Sequence, residues 1–281
     1  MSGAVPTGAT VKDASEAVWV SHSRAALWAT LDRPLALNAI TSDTVTGLHA
    51  ALDEAERDPQ VRAVVIAAAG RVFCAGADLT RISDARQDST PAAVSLADGL
   101  PGFLAAVGEL LTRIETFGKP VIAAVQGLAV AGGLELVLVC DIVVAARSAA
   151  FGDAHANYGL LPGGGASVRL PGRVGSGMAR QMMFTGVTVP AAELVHTDLV
   201  NELVDDAELA PTVDRLVDSI AAKSPLGIAR MKQLLCAGAA LPTEAALRLE
   251  LDAVAEHTHS ADFAEGLAAF ADKRAPRFAG R

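Results

Sequence analysis

Pro120-Val121-Ile122-Ala123-Ala124-Val125-Gln126-Gly127-Leu128-Ala129-Val130-Ala131-Gly132-Gly133-Leu134-Glu135-Leu136 is the stretch on which the reading of this chain turns. The β-branched Val121, Ile122 and Val125, bounded by Pro120 and Gly127, predict a buried strand. A turn follows, then a helix over residues 134–139. Gly132 and Gly133 let backbone approach a ligand with no Cβ in the way, at a point where the first helical amides have no partner. Glu135 lies within a turn of those amides, so the stretch can form an anion hole beside a base. The same residues also suit plain strand-to-helix punctuation, with Glu135 favoured in a first turn for its effect on the helix dipole.

A second stretch bears on that choice. Gly70-Arg71-Val72-Phe73-Cys74-Ala75-Gly76-Ala77-Asp78-Leu79 follows a strand expected over 61–67 and again puts small residues at a strand exit. Together, residues 73–79 and 126–135 resemble the two signatures of the crotonase superfamily, the enoyl-CoA hydratases and isomerases. The resemblance runs from Ala26 to Phe278. It takes in residues 33–39, Cys140-Asp141-Ile142, Phe151-Gly152, the segment 159–165 and the tail 270–278.

Bulk properties narrow the function classes. With 281 residues, 51% of them hydrophobic, the chain can bury a substantial core. A formal charge of −9 and no visible basic stripe argue against a nucleic-acid surface. Cys74, Cys140 and Cys236 are odd in number and far apart, which is no disulfide framework and fits a reducing, cytoplasmic setting. Cys74 borders the candidate site but has no adjacent base to activate it. Residues 1–14 lack a basic start followed by an apolar run, so they read as a loose leader and not a secretory signal. The apolar region 121–146 is interrupted by Gln126, Glu135, Asp141 and glycines, which a membrane-spanning helix would not carry at its centre.

Along the chain, strands are expected over 18–21 and 26–31 with a turn at 22–24. A helix capped by Thr41 or Ser42 runs to Arg57 and is ended by Asp58-Pro59. Residues 81–99 are polar and aperiodic, a loop or flap; residues 100–116 return to helical spacing. Short strands over 141–145 and 149–153 precede Pro162-Gly163-Gly164-Gly165 and a helix over 166–170. That glycine loop lacks both the Gly-Lys-Ser/Thr ending of a P-loop and the dinucleotide fingerprint. No Gly-x-Ser-x-Gly elbow of a serine hydrolase is present. The last quarter is wholly helical, over 209–223, 226–238, 243–257 and 261–273. The expected partition is a leader (1–14), an α/β core carrying the site (15–205) and a helical segment (206–281). The resemblance gives this α/β chain a right-handed ββα spiral, with the helical segment building a homotrimer or a hexamer of paired trimers.

The chemistry implied is that of an acyl-CoA thioester, whose α-carbon becomes acidic only if the carbonyl oxygen can carry charge. Two backbone N–H groups aimed at that oxygen are worth about 2.7–4 kcal/mol each. Carried over from the family, they are the amides of Ala77 and Gly132. Glu135 matches the family's first catalytic glutamate, but an ungapped count puts His155 at the position of the second. A neutral imidazole can share a water and move a proton near pH 7, or can simply line the pocket. If the segment is extended, Asp153, His155 and Asn157 share one face and Asp153 can orient the ring. No third or fourth ligand follows Asp153 and His155, so a metal is not expected.

The resemblance places coenzyme A, as part of the substrate and not a resident cofactor, near Leu35, Ala36, Ala75, Asp78, Leu79 and Gly133. The family often has a basic residue where Leu35 stands; Arg33 is close to it, and Lys273 matches a family lysine that reaches the coenzyme A phosphates. Leu128, Leu160 and Pro162 would form the acyl wall. The activity implied is hydration of a trans-2-enoyl-CoA in fatty acid metabolism. An isomerase or hydrolase using Glu135 alone, or a non-catalytic acyl-CoA-binding protein, are the alternatives.

Overall fold

The computed structural model describes residues 17–78 and 95–281. The leader, Leu79 and most of the expected flap therefore lie outside the described residues. Residues 95–99 do not belong to a loop, because helix α2 already begins there and spans Ser95–Thr116.

A six-stranded sheet forms the spine, in the order β1 (Val18–Ser23), β2 (Ala26–Leu31), β3 (Ala63–Ala68), β4 (Val121–Val125), β6 (Ile142–Ala146) and β9 (Glu202–Val204). Only the β1–β2 pair is antiparallel; the rest run parallel. β1 is longer than expected, because Arg24 takes a positive φ and closes a two-residue hairpin at Arg24-Ala25. Helices covering both faces are what a parallel sheet requires, and its strands read as continuous apolar runs. Val64, Ile66, Val121, Ala123 and Val143 point into the large core with α1 (Ser42–Arg57) and α2. Their alternates Ala63, Val65, Ile122 and Val144 meet Val213 and Val217 of α6 (Leu209–Ala221).

A second, smaller sheet runs β5 (Leu128–Val130), β7 (Ala150–Gly152), β8 (Val189–Pro190). Cys74 joins it through a parallel bridge to Ala129. Thus β3, β4 and β6 each lead from the large sheet to a short extended piece in the small one, and each such pair is followed by a helix. These are α2, α3 (Gly132–Leu138) and α4 (Ala166–Val174). This repeating ββα step is not legible in the sequence, since each turn uses different residues.

α4 continues past Leu170 to Val174, and α5 (Ser176–Thr185) follows across Gly175. The helical end comprises α6, α7 (Pro225–Gly238), α8 (Thr243–His257) and α9 (Ala261–Ala271). Lys232 of α7 is buried and reaches Asp141 Oδ2 at 2.6 Å, and Val121 N–H donates to the same oxygen at 2.7 Å. That contact ties the helical end to the central sheet. Among the described residues, no helix is long and apolar enough to cross a membrane.

Candidate active site

Both glycine turns leave the parallel sheet on the same side and meet. Residues 38–40 lie between them: Ile40 N–H donates to Gly76 O (2.8 Å), and Asp78 N–H returns to Ile40 O (3.0 Å). Gly76 sits at φ +93°, a conformation open to glycine, and a Cβ there would stand 2.9 Å from Ala131 Cβ and 3.2 Å from Gly132 N. A Cβ on Gly132 would in turn lie 3.6 Å from Ala77 N. The amides of Ala77 and Gly132 are therefore neighbours across two separate bends, and among the described residues neither donates to an acceptor within the fold.

Gly133 is turned onto Cys74; a side chain there would collide with the Cys74 carbonyl and stand 2.8 Å from its Cβ. Its visible part is thus close packing of α3 against the first turn. Cys74 is fully buried, and burial pushes its thiol up to about 12, which leaves it inert as a nucleophile.

One turn into α3, Glu135 is 3% exposed. Its Oε1 accepts from Gly164 N–H (2.7 Å) and Ala166 N–H (3.1 Å). Burial drives the carboxyl above the ordinary glutamate range, outweighing the two amides and the nearby His155 that pull it down, while Asp153 adds to the rise. The triple-glycine loop at 163–165, which cannot cradle phosphates in the P-loop manner, thus supplies amides to a carboxylate. Sequence reasoning missed this role, because only folding brings residues 135 and 164 together.

His155 does not lie in an extended segment. Ala154 adopts a left-handed conformation (φ 57°) and His155–Tyr158 form a 3-10 turn. Asn157 consequently leaves the face expected for it and donates to Gly186 O (3.0 Å). Asp153 still meets the ring, with His155 Nδ1 at 3.1 Å from its Oδ1, so the turn makes the contact that a strand was expected to make. Desolvation lowers the imidazole pKa, but the Asp153 hydrogen bond and charge, together with the Glu135 charge, leave it raised above the ordinary histidine value. Glu135 and His155 therefore sense each other's charge.

Asn38, which carried no assigned role in the sequence, is 2% exposed and bridges three backbone groups: it accepts from Arg33 N–H (2.8 Å) and donates to Ala69 O (2.9 Å) and Val72 O (2.8 Å). It holds the 33–38 loop to the first glycine turn. Arg33 donates to Ala39 O (2.8 Å) and pairs with Asp78 (3.1 Å), so its guanidinium is already neutralised locally. Ala75 N–H donates to Leu37 O (3.1 Å), which brings Arg33, Ala75, Ala77 and Asp78 into one rim. Leu35 and Ala36 stand on a 3-10 turn of that rim, Leu35 fully exposed. Leu128 and Leu160 are exposed and Pro162 half-buried. Lys273 is exposed beyond α9, in a left-handed turn (φ 55°), and its ammonium has no partner among the described residues.

Comparison with known proteins agrees with this frame. The enoyl-CoA hydratase/isomerase family pattern matches residues 22–281. The short-chain-enoyl-CoA hydratase of Clostridium acetobutylicum is 35% identical over 247 residues, 87% of this chain and 90% of that protein. The carnitinyl-CoA dehydratase of Escherichia coli is 35% identical over 272 residues, 95% of this chain and 100% of that protein. The crystal structure of an enoyl-CoA hydratase from Polaromonas sp. JS666 superposes with a TM-score of 0.86 at 30% identity, covering 93% of this chain and 99% of the other. A full-length match in sequence and in fold makes the chain a member of the enoyl-CoA hydratase/isomerase family.

Proposed function

We propose that this protein is a hydro-lyase that adds water across the double bond of a trans-2-enoyl-CoA. The observation that carries the reading is the juxtaposition of the Ala77 and Gly132 amides beside a buried glutamate. Such donors favour a charge that develops only as the thioester becomes an enolate, so they act on the transition state more than on the ground state. In this reading the Glu135 carboxylate takes a proton from the water that bonds to the β-carbon. The electron pair of the double bond moves toward the carbonyl oxygen, held by the two amides. His155, whose charged form the Asp153 hydrogen bond favours, delivers in that form a proton from its other ring nitrogen to the α-carbon, and the proton on Glu135 then returns to the imidazole through solvent. Atoms balance as one water added.

The Arg33 to Asp78 rim and Lys273 would meet coenzyme A, and Leu128, Leu160 and Pro162 the acyl group. The exposed Leu247, Leu251 and Val254 of α8 form one apolar stripe, which supports association of the helical segment (206–281) into trimers or hexamers beside a site-bearing core (15–205). Work on coenzyme A thioesters in fatty acid metabolism fits a cytoplasmic enzyme.

The test is to supply crotonyl-CoA and a 3-enoyl-CoA separately and follow water incorporation, double-bond position and free thiol. Hydration of crotonyl-CoA that Glu135→Gln abolishes is the expected result. Double-bond transfer without hydration would make the protein an isomerase, thiol release a hydrolase. Tight acyl-CoA binding with no product and no effect of Glu135→Gln would make it a binding protein.

A further inference from the structure

Glu135 is held by a loop that has no side chains of its own to brace it. Gly163, Gly164 and Gly165 are consecutive, and the amides reaching Glu135 Oε1 come from the 163–164 and 165–166 peptides. The intervening 164–165 peptide is gripped from the other side: Arg169 Nη1 donates to Gly164 O at 2.9 Å. The same guanidinium forks onto Glu115 of α2, with Nε to Oε1 at 3.0 Å and Nη2 to Oε2 at 2.7 Å. A bidentate carboxylate fixes the plane of a guanidinium, and the third donor direction is then set as well. Leu111, one turn before Glu115 on α2, fills the space beside Gly164, where a Cβ would stand 2.7 Å from Leu111 Cδ1.

We propose that Arg169, locked in plane by Glu115, is a positioning residue for Glu135: by fixing the 164–165 peptide it keeps the two flanking amides aimed at the carboxylate. The inference rests on the reading of Glu135 as the base. Arg169 touches no reacting atom; it acts through the loop. If it served only to staple α2 to α4, its loss would lower stability and leave turnover by the folded enzyme alone.

The two roles separate in kinetics. Among the described residues, the titratable groups that face or back Glu135 are Asp153 and His155 from the 153–158 turn, Arg169 from α4, and Glu115 behind it from α2. Loss of the amide aim removes hydrogen bonds to the charged carboxylate, so the acid limb of the kcat profile should move to higher pH. For Arg169→Gln the expected result is a kcat lower by about 10–100-fold, as for a misplaced catalytic group. KM should stay within about twofold, since interactions made only in the transition state are lost. Arg169→Lys should recover little, because an ammonium cannot fork Glu115 and reach Gly164 O together. Added guanidinium should partly restore Arg169→Ala.

If Arg169→Gln does not fold, Glu115→Gln, which loosens the fork but keeps an acceptor, should show a smaller loss with the limb shifted the same way. A normal kcat and an unmoved acid limb in the folded variants, with only a lower Tm, would overturn the inference. Glu135→Gln measured alongside keeps the two claims apart. Full activity of that variant removes the base assignment itself, whereas an inactive Glu135→Gln beside an unaffected Arg169→Gln removes only the positioning role of Arg169.

Discussion

Ala131 holds φ 50° and ψ −121°, a backbone conformation that residues with a Cβ rarely adopt. Such a residue stores about 1–3 kcal/mol, and here it is held from both sides: Ala131 N–H donates to Gly152 O (3.0 Å) and its carbonyl accepts from Glu135 N–H (3.0 Å). Ala131→Gly should relieve most of that and lose about 0.4–1 kcal/mol of it back through a freer unfolded chain. The expected net is a gain of about 1 kcal/mol, or roughly 2–4 °C in Tm by calorimetry. Glu135 makes a second prediction, in which pH sets the size of the effect. Its folded pKa is raised by burial, so the folded state disfavours the carboxylate, and stability is lost as pH rises through that folded value. Glu135→Gln removes this penalty while keeping an acceptor for the two amides. Its Tm should exceed that of the parent at pH 8, and the gap should close as pH falls below the ordinary glutamate range, while kcat drops by about 10²–10⁴. The candidate site was legible at this scale through the family resemblance, because Ala77, Gly132 and Glu135 stand in the two local glycine-rich signatures that carry it, and the fold brings those two turns together. The Asp153–His155 contact was anticipated for the wrong backbone. Residues whose partners lie far along the chain were not legible: Arg169 meets Glu115 across 54 positions, and Lys232 meets Asp141 across 91.

Among the described α-helices, α3 is the shortest: seven residues, no side-chain cap, and a strained entry. Its position is set by close approach to the first turn, where Gly133 lies flat against Cys74. Gly133→Ala would drive a methyl into the Cys74 carbonyl and its Cβ. Overpacking of this kind costs about 1–3 kcal/mol. The backbone that must yield carries the Gly132 amide, so a displacement near 1 Å should also reduce kcat by about 100-fold. Chemical denaturation and steady-state kinetics on the same variant check both parts. Most helices and strands were legible from periodicity and caps; Thr41, for instance, does cap α1, accepting from Thr44 N–H. The start of α2, the whole of α5 and the short strands β5, β8 and β9 were not: Leu128–Val130 stands where a turn was expected, and α3 spans Gly132–Leu138 and not 134–139. Ser95–Gly99 carries few apolar residues to mark a face, and Gly175 and Pro171 around the α4–α5 junction read as loop although Gly175 only separates two helices.

For the molecule as a whole, α6 packs on the central sheet through Val213 and Val217, and α7 is tied to that sheet by a buried lysine. Lys232 Nζ reaches Asp141 Oδ2 and lies 3.3 Å from the carbonyls of both Ile114 and Lys119. Burial raises the Asp141 carboxyl above its ordinary range, against the pull of Lys232 and of Val121 N–H. Lys232→Met fills the same space but leaves Asp141 facing two carbonyls with no cation between them. Removing one partner of a buried pair costs about 3–5 kcal/mol, and Asp141 keeps some contact with solvent, so a loss of about 3 kcal/mol is expected. Lys232 is remote in sequence from Ala77, Gly132, Glu135 and His155, to which the proposed function gives the chemistry, and the turns that carry Ala77 and Gly132 are braced by Asn38, Ile40 and Cys74 instead. kcat per folded molecule should therefore stay within about twofold, with the change appearing in the denaturant midpoint at unchanged slope. The double variant Lys232→Met with Asp141→Asn distinguishes pair loss from helix loss. If the cost lies in the stranded carboxylate, the second substitution should recover part of the stability, whereas a cost in α7 packing would leave the double variant as unstable as the single one.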